Sequence, residues 1–322
     1  MARRRKGSPV HGWVVLDKPQ GVTSTQAVTR VRRLFDAAKA GHAGTLDPLA
    51  TGVLAVALGE ATKTVPYVME GEKLYRFTAC WGEARDTDDS EGKVTATSAS
   101  RPSREAILSQ LPNFIGKIMQ VPPSYSAIKV EGERAYDLAR EGETVTLEAR
   151  AILIHTARLI EMPDPDHAVF EVECGKGSYV RAWVRDLAIA LGTVGHVSQL
   201  RRLRCGPFSI EAAISLETLE GFGHSPAALE HLRPIATALD GIPALAVTDP
   251  DSIRLRSGNP VLIRAPQFAR LMEQQSGGAA SDAGIQGQTV FLSTARGEPV
   301  ALAEVAQGEL RPFRVFTFGP GA

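Results

Sequence analysis

Gly41-His42-Ala43-Gly44-Thr45-Leu46-Asp47-Pro48-Leu49-Ala50-Thr51-Gly52 sets one carboxylate in a turn, with a histidine upstream and an apolar strand downstream. Glycine at 41, 44 and 52 opens backbone angles closed to other residues and lets another chain come close. Pro48 fixes its own φ and pushes Asp47 out of the helical region. Asp47 is thereby held by its backbone at a strand-to-loop junction, where catalytic groups often sit. Taken alone, the Asp47-Pro48 pair reads more readily as an ordinary turn, with Asp47 capping a helix that has proline at its first position.

Outward from this segment, Trp13 to Leu16 is a short apolar strand stopped by Lys18-Pro19-Gln20-Gly21. Thr23 or Ser24 can cap the following helix, where Val28, Val31, Leu34 and Phe35 recur at helical spacing. Val53 to Leu58 reads as a fully buried strand. After a short helix, Leu74 to Trp81 alternates, with Tyr75, Phe77, Ala79 and Trp81 on one face. Glu83 to Gly92 reads as an acidic, turn-rich loop, Ser103 to Leu111 as a helix, and Gln120 to Ser126 as a proline-interrupted extended stretch. Arg134 to Arg140 reads as a charged helix, Ile152 to Ile160 and Val169 to Cys174 as strands, and Tyr179 to Leu191 as an amphipathic helix. Strands and helices alternate without a regular βαβ rhythm. The expected fold class is therefore α+β, a mixed, largely antiparallel sheet flanked by helices. From about Leu239, strand-like runs (Ala244 to Val247, Val261 to Ile263, Thr289 to Ser293, Pro299 to Val305, Arg311 to Phe318) suggest a small all-β second domain with a flexible loop at Gln274 to Gln288.

At 322 residues the chain suggests two domains. Cys80, Cys174 and Cys205 are far apart and form no CxxC pair, so neither a zinc site nor a disulfide framework follows. The basic start Arg3-Arg4-Arg5-Lys6 is not followed by the apolar core of an export signal, and no segment is long enough to span a membrane, so a cytoplasmic protein is expected. Net charge is zero, but its distribution is uneven. Arg3, Arg4, Arg5, Lys6, Lys18, Arg30, Arg32, Arg33 and Lys39 form one basic block. Lys176, Arg181, Arg185, Arg201, Arg202 and Arg204 form another, opposed within it by Asp186 alone. Such asymmetry suits a phosphate-binding face and equally suits solvated helix faces.

Other chemistries fail on spacing. Gly175-Lys176 lacks the glycine five residues earlier and the Ser or Thr that a phosphate loop needs. The histidines are scattered without HExxH, and GxSxG is absent. One placed aspartate, aromatics and arginines remain. They suit covalent or electrostatic work on a base or sugar stacked against a ring.

Gly12 to Ser24, Gly41 to Gly52, Leu58-Gly59-Glu60-Ala61-Thr62-Lys63, Pro123 to Lys129 and Gly177 to Leu187 together resemble the TruB family of bacterial tRNA pseudouridine synthases. The resemblance runs in order from about Gly12 to Leu203. It implies the pseudouridine synthase fold, over residues 1–238 with an RNA-clamping insertion at about 120–150. The tail, through Arg254 to Val261 and Arg311 to Phe318, resembles loosely the PUA-like RNA-binding domain of bacterial members, over 239–322.

The resemblance implies isomerisation of the T-loop uridine of tRNA, position 55, with base flipping and no cofactor or metal. Asp47 matches the catalytic aspartate, acting as nucleophile or as base for proton loss from the sugar. Tyr75 matches the tyrosine that stacks on the target base. Arg181 matches the arginine that pairs with the aspartate and holds it ionised and aimed. His42 matches a residue that inserts into the T loop, Tyr179 and Leu200 match positions lining the base pocket, and Lys18 joins the substrate-binding positions. Lys129, Arg134 and Arg140 match phosphate contacts of the insertion, which position the RNA without specifying its sequence. Trp183 and Arg185 depart from the family pattern, which favours smaller or uncharged residues there. A monomer acting on the T arm, with no membrane or protein partner, is expected. Two alternatives stay open: a non-catalytic module that binds or folds tRNA, and a hydrolase that uses Asp47 on a nucleoside.

Overall fold

The computed structural model describes residues 7–126, 129–130, 133–134, 147–276 and 285–318. Strand β1 (Gly12–Lys18) leads through the Pro19–Gly21 turn into helix α1 (Ser24–Leu34). Thr23 caps α1 reciprocally. Its hydroxyl accepts the Gln26 N–H at 3.1 Å, and the Gln26 side chain accepts the Thr23 N–H at 2.9 Å. Strand β2 (Thr51–Leu58) returns antiparallel to β1, and the Asp47 segment lies between Ala40–His42 and β2. Strands β3 (Lys73–Trp81), β4 (Gly116–Gln120), β5 (Arg150–Asp164) and β6 (His167–Cys174) follow, then helix α2 (Val180–Ala190) and strand β7 (Gly195–Cys205).

Across the main sheet the order is Ile214–Ser215, β1, β2, β7, β3, β6, β5, β4. The pairs along this path are antiparallel except Ile214–Ser215 with β1 and β2 with β7. The sheet is thus mixed and largely antiparallel, with helices against it. The apolar run in β2 follows from covering on both faces. Leu54, Val56 and Leu58 enter a core with Phe77, Phe170 and Trp183, closed by Ala27 and Val31 of α1 and Val184 and Leu187 of α2. Val53, Ala55 and Ala57 enter a second core with Trp13, Phe208, Ile235 and Leu239.

That second core also takes Phe291 and Leu302 from a five-stranded C-terminal sheet, and Phe316 just beyond its Glu309–Val315 strand. Its order is Ala244–Val247, Thr289–Thr294, Pro299–Ala306, Glu309–Val315, Val261–Leu262. The strands fall where the sequence suggested. Two helices, Asp249–Arg256 and Ala265–Ser276, are added to them. Thr248 caps the first, accepting the Asp251 N–H. Thr248-Asp249-Pro250 is thus a helix start.

Strand β7 has no counterpart in the sequence reading. Register shifts between Val197 and Gln199 and between Arg202 and Arg204 break its alternation, and arginines occupy its second half. The acidic stretch after Trp81 is partly a hairpin, Glu83–Arg85 pairing with Val94–Thr97. Arg134 lies in a two-residue strand paired with Lys129–Val130, and 135–140, read as a helix, lie outside the described residues, as does 277–284 of the Gly/Ala/Ser stretch. Among the described residues no helix is long and apolar enough to cross a membrane.

Candidate active site

One transverse row of the sheet carries much of the site. Lys18 lies opposite Gly52, Gly52 opposite Arg202, and Arg202 opposite Tyr75, across β1, β2, β7 and β3. Directly opposed residues point to the same face. Lys18, Arg202 and Tyr75 therefore share the face covered by α1 and α2, and Leu200, opposite Phe77, joins them. Strands β2 and β7 pair at only two positions, Thr51 with Arg201 and Gly52 with Arg202. Gly52, at φ +95°, lies so close to β7 that a Cβ would sit 2.2 Å from the Arg202 carbonyl oxygen. Gly44 is also left-handed, whereas Gly41 lies in the strand Ala40–His42 at ordinary angles.

The Asp47 segment is pinned by its neighbours. The Ser24 hydroxyl donates to the Leu46 carbonyl at 2.9 Å and accepts the Leu46 N–H at 2.8 Å. The Pro48 carbonyl accepts the Gly21 N–H at 2.8 Å and the Lys18 ammonium at 3.3 Å. Lys18, fully buried, also donates to the carbonyls of Pro19 at 2.9 Å and Val22 at 2.7 Å. No helix begins here: the Ala50 N–H closes a turn onto the Asp47 carbonyl at 3.1 Å.

Arg181 enters from the first turn of α2. The start of that helix is fixed by the buried Gln120 amide, which accepts the Tyr179 N–H at 2.9 Å and donates to the Tyr179 carbonyl at 3.1 Å. Arg181 Nε lies 3.0 Å from Asp47 Oδ2 and 3.6 Å from Asp89 Oδ2. Its Nη1 donates to the Thr87 carbonyl at 2.7 Å and its Nη2 to the Tyr125 carbonyl at 2.8 Å. The Arg181 and Asp89 side chains are each 5% exposed, while Asp47 is 35% exposed and so remains the carboxylate that solvent and a ligand can reach. Asp89 is itself aimed by the Thr87 hydroxyl at 2.6 Å and the Glu91 N–H at 3.1 Å. One turn along α2, Arg185 pairs with Asp88 at 3.0 Å and Asp186 at 2.9 Å and donates to the Val121 carbonyl at 2.7 Å.

Burial sets the proton affinities. It lowers Lys18 to about 8, with the Asp47 charge opposing the shift. It pushes the Tyr75 hydroxyl up to about 12, against the pull of the Arg202 guanidinium. Burial, reinforced by the charge on Arg202, lowers His42. Burial raises Tyr179 and also Asp88, the latter opposed by Arg185. A carboxylate that solvent reaches, braced by a buried guanidinium, suits attack on, or proton removal from, a sugar.

The structure brings Asp47, Arg181, Tyr75, Tyr179, Leu200, Lys18 and His42 to this one region of the sheet. For Lys129 and Arg134 only the backbone is described, and Arg140 lies outside the described residues. The second basic block is not a free phosphate face. Lys176 pairs with Glu70, Arg181 with Asp47 and Asp89, Arg185 with Asp88 and Asp186, Arg201 with Asp17, and Arg204 with Glu173. Apart from Asp186, already counted beside Arg185, and Glu173, those acids lie far from the block in the chain, where a local count does not find them. Trp183 packs in the core, its ring centroid 5.5–5.7 Å from those of Phe77, Phe114 and Phe170. Asp89, Gln120 and the carbonyl contacts of Arg202 escape a reading of the sequence. The adjacent Asp88-Asp89 within the acidic stretch was the available signal for the first, whereas Gln120 offered none.

The model of the TruB family pseudouridylate synthase N-terminal domain matches residues 32–180, and that of the tRNA pseudouridylate synthase B C-terminal domain matches 181–240. Proteins named tRNA pseudouridine synthase B are 56% identical in Bradyrhizobium diazoefficiens (97% of this chain, 88% of that one), 54% in Caulobacter sp. strain K31 (98% and 99%) and 52% in Rhodospirillum rubrum (98% and 99%). Among solved structures, a chain of an H/ACA RNP bound to a substrate RNA containing 2'-deoxyuridine shares the fold. Its TM-score is 0.69 at 21% identity, over 98% of this chain and 92% of that one. A chain of an archaeal box H/ACA sRNP complex matches at TM-score 0.68 and 23% identity, over 98% and 93%. The chain belongs to the TruB family of pseudouridylate synthases.

Proposed function

We propose that this enzyme converts the T-loop uridine of tRNA, position 55, to pseudouridine, with Asp47 as the catalytic carboxylate. Pseudouridine synthesis is the activity of the family, and the name of its relatives supports tRNA as the substrate. The observation that carries the assignment is the ion pair at 3.0 Å between Arg181 Nε and the accessible Asp47 carboxylate. The N1–C1′ bond breaks, the uracil turns, the C5–C1′ bond forms and the C5 proton leaves to solvent. Asp47 serves this sequence either as nucleophile at C1′ or as base toward the sugar, and both routes need the carboxylate that Arg181 aims. Tyr75 supplies the stacking face for the flipped base, with Tyr179 and Leu200 as further walls. His42, whose proton affinity burial lowers, enters the space the uridine leaves. Lys18 holds the turn that carries Asp47, while Lys129, Arg134 and Arg140 contact phosphates. The catalytic unit spans 1–238, and 239–322 acts as a PUA-like RNA-binding unit of a monomeric cytoplasmic enzyme without a cofactor.

A tRNA transcript treated with the enzyme should gain pseudouridine at one T-loop position, and replacing that uridine by cytidine should abolish the product. Product elsewhere in the tRNA would overturn the site assignment. Chromatographic detection of free uracil in place of pseudouridine would make the protein a hydrolase.

A further inference from the structure

Arg202 is 1% exposed, and among the described residues no carboxylate lies within ion-pair distance of it. Its Nε donates to the Val53 carbonyl at 2.7 Å and its Nη2 to the Gly44 carbonyl at 3.0 Å. These acceptors bracket the Asp47 segment, one on each side. Across the other edge of β7, Arg202 stands directly opposite Tyr75, on the same face of the sheet, and its guanidinium interacts with the tyrosine hydroxyl. The same side chain thus grips both ends of the catalytic loop and abuts the ring assigned to stack on the base. Gly44 adopts φ +93°, a backbone angle that disfavours any side chain there. Filling the volume of the Arg202 side chain does not call for a cation. A buried charge without a counter-ion is costly to desolvate, and an apolar side chain of similar volume would often be neutral or stabilising in its place. Two other groups in reach, Lys18 and His42, are cationic or can become so, and the charge of Arg202 disfavours their protonated forms.

We propose that Arg202 is a positioning residue for catalysis, fixing the distance between the Asp47 loop and Tyr75 by binding both. The role rests on the reading of Asp47 and Tyr75 given above. Arg202→Lys keeps the charge but cannot span the carbonyls and the tyrosine with a planar fork. Single-turnover and binding measurements on a T-arm stem-loop should show the rate falling by about tenfold or more, while the dissociation constant stays within about threefold, because the RNA surface is untouched. Combined with Tyr75→Phe, the two losses should multiply to less than their product by at least about fivefold, the mark of residues acting together. A rate within threefold of wild type, a loss confined to binding, or fully multiplicative losses would overturn the proposal. Should Arg202→Lys fail to fold, nitrogen-15 spectra of arginine-labelled wild type and Tyr75→Phe decide instead. A slowly exchanging Arg202 Nε–H whose resonance shifts on loss of the tyrosine hydroxyl supports coupling, and an unchanged resonance refutes it. If wild type makes no pseudouridine at all, the reading of the site has failed, and the Arg202 role falls with it.

Discussion

The crevice around Asp47 and the C-terminal sheet are built on opposite principles. In the crevice Lys18, Arg181, Arg202 and Asp89 are taken out of water and held by carbonyls and by one another. In the C-terminal sheet the interior is apolar (Leu245, Val290, Leu292, Val300, Leu310), and ion pairs such as Arg311 with Glu309 lie at the surface. Charge burial is expensive and apolar burial is favourable, so the first region spends stability on geometry while the second supplies it. The second region abuts the first through Phe291, Leu302 and Phe316, which share a core with Trp13 and Val53 of the catalytic sheet. Lys63 and Glu60 reinforce that seam by binding the Val315 carbonyl at 2.8 Å and the Thr317 N–H at 2.7 Å.

The sharpest way to break this contrast is to unpair the crevice. Arg181→Met leaves Asp89 buried without its cation, and turnover should fall about 10²–10³-fold, as when a preorganised donor is lost. Stability should drop as well, by about 3–5 kcal/mol in chemical unfolding, the cost of stranding a buried charge. Phe316→Ala tests the other region. It opens a cavity at a fully buried ring and should cost about 3–5 kcal/mol, with the single-turnover rate of the folded fraction nearly unchanged. A large rate loss there would show that the seam shapes the crevice.

Lys18 separates the two principles within one residue. Its affinity in the fold, about 8, lies below the ordinary 10.5, so the unfolded chain binds more protons between these values. Stability from this group therefore rises with pH from about 8 to 10.5, and its burial penalty is present in full below 8. Activity should run the other way, falling several-fold as the ammonium that holds the Pro48 carbonyl is lost above about pH 8. Lys18→Met should remove both slopes. The smallest effect belongs to Arg30→Ala, which breaks an exposed pair with Glu220 and should shift stability by no more than about 1 kcal/mol.

What could be read in the sequence follows the same division. Apolar alternation and cap chemistry placed β1, α1, β2, β3, β6 and α2, because each is decided by residues near it in the chain. Motif resemblance singled out Asp47, Tyr75 and Arg181, of which the fold pairs Asp47 with Arg181 at 3.0 Å, and the C-terminal sheet was legible through its spaced strands. Strand β7 was not, since two bulges and a run of arginines hide its period. Nor were the contacts of Asp89 and Arg202, whose partners are separated from them by up to 158 residues. Gly44 reads as a flexible turn residue, and only the fold shows that its carbonyl takes a guanidinium.

The central claim is that the carboxylate of Asp47, held by Arg181, performs the isomerisation. Tritium release from tRNA transcribed with C5-tritiated uridine tests it most directly, with wild type beside Asp47→Asn, which keeps the shape and removes the charge. Wild type should release the label of a single uridine per tRNA, and Asp47→Asn should release none while binding the tRNA with comparable affinity. Release by Asp47→Asn at the wild-type rate, or no release by wild type, would contradict the account.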